Sequence, residues 1–382
     1  MGVLKKLFIG DTIDLNWDFI NKIPEFAKLK DCQQNPKWHS EGDAFKHTMK
    51  CLDAARSRVD LFAQTLSDKR ILIAEVLFHD IGKAVTTEFK NGAWHAYGHE
   101  FAGEKITRRI MWDEPIDVRE RVCAAVRYHM DVLRIADATH DLQKKLVIPA
   151  YNRFFLWSDV LFVKLCDVLG SEPENEDETQ IGISKITYLQ ENTHSFGIYG
   201  ERTLSDETYR AIVLGEKPTW LEKLKKPRPT VFVMIGLPGS GKNYYFEHSI
   251  NYDVEMISRD DIRTELGYCA EGEKAVLSHE KEEEVSKVFD ERFVSAIKSG
   301  KNVVLNNINL KRQYRDAYKK LLSDNKISNV DWVYIYIEAK DMETLLRRRP
   351  TINLAVYAKM IEGFDWPQPG EYSEFYISKS LQ

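Results

Sequence analysis

Apolar residues recur at three- and four-residue spacing through 45–62, 71–78, 103–112 and 118–128, which predicts a run of amphipathic and buried helices. Strand-like alternation is scarce between residues 43 and 166. Residues 171–179 (SEPENEDET) are acidic, turn-rich and without periodicity, and read as a solvated loop. The stretch 215–230 (GEKPTWLEKLKKPRPT) carries prolines and lysines that cannot continue a strand or helix at both ends, so it marks a boundary. Beyond it, short β-branched or aromatic runs at 231–235, 254–257, 302–305 and 332–337 alternate with helical stretches, as strands of a parallel sheet do. The expectation is an all-α domain over residues 1–222, followed by an α/β domain with a parallel sheet over 223–382.

Length agrees with two domains, because 382 residues exceed the size at which one hydrophobic core usually keeps growing. With 43% hydrophobic and 30% charged residues, each half has the material for a packed core. No apolar run is long enough to span a bilayer, and residues 1–14 lack the order of a signal peptide, so a cytoplasmic protein with no membrane partner is expected. Five scattered cysteines (Cys32, Cys51, Cys123, Cys166, Cys269) form no C-x-x-C pair and read as reduced, mostly buried thiols. A net charge of −5 offers no global field for a long polyanion, so any nucleic acid would be held locally, near an end.

In the first half His47, the adjacent pair His79-Asp80, His99, His129 and Asp167 stand in order. Imidazole and carboxylate ligands suit divalent ions including manganese, and a helical scaffold brings distant residues to one point. His79-Asp80 closes the apolar stretch ILIAEVLF and precedes IGK, where a buried helix reaches a turn and an unpartnered polar pair would be costly. The set His47, His79-Asp80 and Asp167, with FHDIGK and LCDVLG, resembles the HD superfamily of metal-dependent phosphohydrolases over about residues 31–170. Within it, WHSEGDAFKHT (38–48) is similar to HD domains attached to transfer-RNA nucleotidyltransferases and RNA-repair kinases. The resemblance implies that His47, His79, Asp80 and Asp167 ligate metal, while Lys83, His99 and His129 contact phosphate or complete a second metal site. A transition ion such as Mn2+, Ni2+ or Co2+ is expected there. His39, His95, His140 and His194 fall outside the pattern and are expected in surface or loop positions.

In the second half VFVMIGLPGSGKN (231–243) places a strand directly before G-x-x-x-x-G-K, the required context of a P-loop. Gly236, Gly239, Ser240 and Gly241 would curl the backbone around phosphate oxygens, and Lys242 would reach the terminal phosphates of ATP or another NTP. Asn243 stands where a hydroxyl normally meets Mg2+, so an amide oxygen or a water must take that place. MISRDDIR (256–263) follows the second expected strand, and a helix starting at Asp260 puts Asp260 and Arg263 on one face as base and phosphate contact. LLRRRP (345–350) supplies arginines for transferring charge. Lys311, Arg312 and Arg315 read as a solvated helix face.

GLPGSGK, SRDDIR, NNINL, LLRRRP and VYAKM together resemble the kinase domain of the polynucleotide 5′-kinase family over nearly all of 231–370. The resemblance implies that Asp260 is general base for a 5′-hydroxyl, that Arg263 contacts substrate phosphate, and that Arg348 or Arg349 is a lid arginine. Asn307 stands where some members have an acidic residue. An HD domain before such a kinase resembles the bifunctional HD-domain polynucleotide kinases, which implies RNA or DNA ends bearing a 5′-hydroxyl and a 2′,3′-cyclic phosphate or 2′-phosphate, with an RNA ligase acting next. Two other readings remain at this point: a nucleotide-metabolism enzyme acting on small phosphoesters and alcohols, and a non-catalytic nucleotide sensor in which Asn243 marks an inactive P-loop.

Overall fold

The computed structural model describes residues 2–136, 154–192, 228–249, 254–270 and 277–379. The chain divides into two compact units, Met1–Glu216 and Lys217–Gln382. The expected division at 222/223, most of the boundary segment before it, His140 and His194 lie outside the described residues.

The first unit is helical, with one small hairpin. Helix α1 (Ala44–Arg56) starts where the Asp43 carboxylate accepts from the Lys46 amide at 2.8 Å, and it buries Ala44, His47, Thr48, Cys51, Leu52 and Ala55. Helix α2 (Leu66–Phe78), capped by Thr65, is buried continuously from Ile71 to Phe78, so it forms the centre of the unit and delivers His79 at its end. Helix α3 (His99–Ile110) pairs with α4 (Ile116–Tyr128); α5 (Trp157–Gly170) packs on α1 and α2, and α6 (Asp177–Asn192) packs on α5. Buried Arg108 donates to Glu104 and Glu120, fastening α3 to α4. Removing both carboxylates would strand a buried charge, a loss of roughly 3–5 kcal/mol.

Two features of this unit differ from expectation. Strands β1 (Glu88–Lys90) and β2 (Ala93–His95) form an antiparallel hairpin whose turn, Asn91-Gly92, has φ of 53° and 80°, the left-handed pair that a two-residue hairpin turn demands. The acidic stretch is not simply solvated. The Glu172 amide donates to Glu41, its carbonyl accepts from Ser40, and its carboxylate pairs with Lys50, while Asp177 already opens α6.

The second unit holds a five-stranded, all-parallel sheet in the order β4-β5-β3-β6-β7. Its strands are β3 (Thr230–Ile235), β4 (Val254–Ile257), β5 (Asn302–Leu305), β6 (Asp331–Glu338) and β7 (Glu374–Lys379). β3 lies centrally, with Val231 opposite both Val303 and Trp332. Because the chain moves from β3 to one side and later returns to the other, a crevice opens at the carboxyl end of β3, the usual ligand position of such sheets. Helices α7 (Lys242–Ser249), α8 (Arg259–Glu265), α9 (His279–Lys298), α10 (Arg312–Asp324), α11 (Met342–Arg348) and α12 (Leu354–Glu362) complete it.

β7 was not among the expected strands, and Arg315 corrects the expected solvated face. Lys311 and Arg312 are exposed, but Arg315 is fully buried, donating to Glu371 and to the carbonyls of Asn309, Leu310 and Asp365. It ties the segment before α10 to residues some fifty positions later.

Candidate active sites

Four buried histidines converge in the helical unit, and their hydrogen bonds fix how they face. His79, His99 and His129 each set Nδ1 against the backbone carbonyl three residues earlier (Val76, Ala96, Val126), at 2.7, 2.8 and 2.8 Å. A carbonyl only accepts, so each Nδ1 carries a proton and Nε2 is the nitrogen that faces inward. His47 does the same through Glu41, whose carboxylate accepts from Nδ1 at 2.9 Å.

The inward nitrogens meet carboxylates and one another. His47 Nε2 lies 3.0 Å from Asp167 Oδ1 and 3.5 Å from Asp80 Oδ2; His79 Nε2 lies 3.4 Å from Asp80 Oδ2. Asp80 Oδ1 is 3.3 Å from His99 Nε2, which in turn is 3.3 Å from His129 Nε2. Two imidazole lone pairs facing each other require a cation or a proton between them. His79 Nε2 is buried and has no hydrogen-bond partner. The donor set therefore fits a divalent metal, with Asp80 between two groups, one holding His47, His79 and Asp167 and the other His99 and His129.

Lysines flank both carboxylates. Lys83 Nζ lies 2.6 Å from Asp80 and donates to Gln34 at 2.6 Å; Lys164 donates to Asp167 at 2.6 Å. Burial pulls the Asp80 carboxyl upward, but Lys83 and His79 outweigh it and hold the group well below its usual range. Burial, helped by the charges of His99 and His79, drives His129 well below the usual imidazole value. The turn that aims Asp80 and Lys83 depends on Gly82: a Cβ there would sit 1.9 Å from the His99 carbonyl and 2.6 Å from the Gly103 amide.

In the second unit the loop after β3 closes around a left-handed Gly239 (φ 83°), over which Arg348 and Arg349 pass; a Cβ at Gly239 would lie 3.3 Å from Arg349 Cγ. Arg348 donates to the Gly239 carbonyl at 3.0 Å, and the Tyr357 hydroxyl of α12 donates to that of Pro238 at 3.0 Å. Lys242 Nζ donates to the Gly236 and Leu237 carbonyls at 2.9 and 3.1 Å. Burial pushes its ammonium down to about 8; the Asp260 carboxylate opposes that shift and Arg349 adds to it, so both groups lie within electrostatic reach of Lys242. Ser240 Oγ is buried without a hydrogen-bond partner, as a group awaiting a phosphate oxygen would be.

Ser258 caps α8, which places Asp260, largely exposed, 2.6 Å from Arg263. Arg263 and Arg259 both donate to Glu282 of α9, at 3.0 and 3.1 Å. The asparagines after β5 act as connectors. Asn306 donates to Asn243 Oδ1 at 2.9 Å, Asn307 accepts from the Arg259 amide at 3.1 Å, and Asn309 donates to the Met234 and Leu305 carbonyls, joining β3 to β5.

Two family models match the chain: an HD domain over residues 45–184 and an AAA domain over 231–360. The chain joins an HD domain to a P-loop domain. A Multifunctional CCA protein of Pasteurella multocida (strain Pm70) is 28% identical over 218 residues, 53% of this chain and 50% of that protein. A "Putative bifunctional polynucleotide kinase/RNA ligase" of Autographa californica nuclear polyhedrosis virus is 33% identical over 99 residues, 24% of this chain and 14% of its own. The chain thus spans half or less of the length of these curated relatives. Among solved structures, a Pnkp1/Rnl/Hen1 complex aligns at 20% identity and TM-score 0.27, covering 33% of this chain and 41% of that one. A sugar kinase from Janibacter sp. HTCC2649 aligns at 15% identity and TM-score 0.30, covering 41% and 87%. Structural likeness at that level carries no functional weight. The HD and P-loop domains and the sequence relatives together make the chain an enzyme. No helix among the described residues is long and apolar enough to cross a membrane.

The HD domain brings together every residue expected at its site, and it adds some. His39 lies in a loop, as expected, but it contacts Glu41 at 2.8 Å and packs against His47 with ring centroids 4.7 Å apart, so that loop borders the cluster. Glu41, Gln34, Cys51 and Lys164 were not anticipated. Only Cys51 and Lys164 carried a local signal, lying four residues after His47 and three before Asp167 on the same helices. The P-loop domain likewise gathers Lys242, Asp260, Arg263, Arg348 and Arg349 around one crevice, with Glu282 as the unanticipated partner.

Proposed function

We propose that this enzyme heals broken polynucleotide ends, with the HD domain hydrolysing 2′,3′-cyclic phosphate and 2′-phosphate termini and the P-loop domain phosphorylating the 5′-hydroxyl. The carrying observation is that each unit assembles its own charged constellation: His47, His79, Asp80 and Asp167 with Lys83, and Lys242 with Asp260, Arg263 and the Arg348-Arg349 pair. The resulting ends, a 5′-phosphate and free 2′,3′-hydroxyls, are those an RNA ligase would join next.

In the HD domain, His47, His79, Asp80 and Asp167 would hold a divalent transition ion, which supplies Lewis acidity at the phosphoryl oxygen and acidifies a water. Water adds to phosphorus and the P–O3′ bond breaks, leaving a 2′-phosphate; a second water then displaces O2′ and inorganic phosphate leaves, each released sugar oxygen taking a proton. Lys83 neutralises charge developing on the ester, and His99 and His129 face the phosphate. In the kinase, Asp260 accepts the 5′-hydroxyl proton as that oxygen bonds the γ-phosphorus of ATP or another NTP and the bond to the β-phosphate bridge breaks. Arg263 holds the neighbouring substrate phosphate, while Lys242 and Arg348 or Arg349 stabilise the transferring group. Mg2+ supplies charge neutralisation at the nucleotide phosphates.

Incubating the full chain with γ-labelled ATP, magnesium and either a 5′-hydroxyl oligonucleotide or a nucleoside tests the kinase reading. Label on the oligonucleotide is expected. Label on the nucleoside instead would favour a small-molecule kinase, and label on neither would overturn transfer. Hydrolysis of a 2′,3′-cyclic end is expected with manganese, nickel or cobalt, and equal activity with magnesium alone would count against the His/Asp metal site.

A further inference from the structure

Helix α1 buries one face, and Cys51 lies on it one turn beyond His47. Its Sγ is 3.4 Å from His47 Nε2, the same nitrogen that faces Asp167. One ligand atom each from His47, Cys51, His79 and Asp167 falls within 4.8 Å of all the others, and all four residues are buried. His79 Nε2, aimed into this group, lacks a hydrogen-bond partner.

Other buried thiols are used differently: Cys32 turns its sulfur to the carbonyls of Lys28 and Lys83, 3.3 Å from each. Cys51 sits in the seam between α1 and α5, so close to Gly170 that a Cβ there would fall 2.4 Å from its sulfur, and Asp167 enters the same seam one turn earlier. The local charge admits another anion beside a dication. Lys83 stands 2.6 Å from Asp80, and Lys164 stands 2.6 Å from Asp167.

We propose that Cys51 is a thiolate ligand of the HD-domain metal, acting with His47, His79 and Asp167 and biasing the site toward thiophilic ions such as cobalt, nickel or zinc. The inference rests on the reading of this cluster as a metal site. On binding, the S–H bond is exchanged for a sulfur–metal bond, and the proton leaves to solvent. Magnesium and manganese, which prefer oxygen ligands, gain less from the thiolate.

Cobalt(II) titrated into the chelator-stripped full chain reads this directly, because sulfur ligation adds a near-ultraviolet charge-transfer band that nitrogen and oxygen ligation lacks. The band is expected in the parent and in Cys166→Ala and absent from Cys51→Ala, whose cobalt affinity falls by about tenfold or more. Bound cobalt without the band, measured alongside equilibrium dialysis, overturns the thiolate ligand and leaves the metal site standing. Absence of bound cobalt in the parent overturns both. A band that persists in Cys51→Ala also overturns the assignment, and if that variant fails to fold, the parent spectrum still decides.

Discussion

Replacing Gly82 with alanine isolates one steric contact on which the HD site depends. Gly82 has φ −65° and ψ −22°, which alanine adopts freely, so the substitution adds only a methyl group and no backbone strain. That methyl would lie 1.9 Å from the His99 carbonyl oxygen, 2.6 Å from the Gly103 amide and 2.8 Å from the His99 carbonyl carbon, all backbone atoms. Reaching even a tight 3.0 Å contact with the oxygen requires the turn and α3 to separate by about 1 Å (3.0 less 1.9). Overpacking of this kind costs roughly 1–3 kcal/mol. Because His99 rides on α3 and Asp80 precedes the turn, their 3.3 Å approach opens by a similar amount, and a misplacement of about 1 Å costs on the order of a hundredfold in rate. The assay is hydrolysis of a 2′,3′-cyclic end, with urea denaturation for stability and 5′-phosphorylation as the control from the other unit. A hydrolysis rate within about twofold of the parent, with unchanged stability, would refute the reasoning.

The P-loop lysine makes a pH prediction. Since burial lowers Lys242 to about 8, its charge is lost there in the free enzyme, and kcat/KM for ATP should fall as pH rises through about 8; a fall only near 10 would contradict it. The stability sign is opposite. A lysine whose folded value is depressed binds fewer protons folded than unfolded, so its destabilising contribution is full below pH 8 and relieved between about 8 and the unfolded value near ~10.4; a nucleotide-free protein that loses stability at Lys242 over that window, compared with Lys242→Met, would contradict this. Asn243 already accepts from Asn306 with its side-chain oxygen, which keeps a second lone pair for an ion. Asn243→Ala should slow phosphorylation by roughly tenfold, about 1.4 kcal/mol in the transition state, and an unchanged rate across a magnesium titration rules out the ligand role.

What the sequence reveals is what local chemistry compels. The apolar run ending in His79-Asp80 announces a buried helix with a polar pair at its end, and GLPGSGK between a strand and a helix announces a phosphate cradle. The Asn91-Gly92 hairpin carried a similar local signal, but its strands are too short to alternate clearly. Other features depend on partners far along the chain. Arg315 has a charged, solvated-looking neighbourhood, and only the convergence of Glu371 with three carbonyls makes its burial tolerable. Glu41 orients His47 because the Glu172 amide, well over a hundred residues later, fixes its other oxygen. β7 pairs at the sheet edge after a turn-rich PQPG, where period and composition give little strand signal.

The central claim is that two independent sites act on the two ends of one break, and complementary mutants on a single RNA test it most directly. Given an RNA with a 5′-hydroxyl and a 2′,3′-cyclic phosphate, the parent should convert both ends. Asp80→Ala should phosphorylate the 5′ end and leave the cyclic phosphate intact, and Asp260→Ala should open and remove the cyclic phosphate and leave the 5′-hydroxyl. Loss of both conversions in either folded variant, or of neither, would contradict the account.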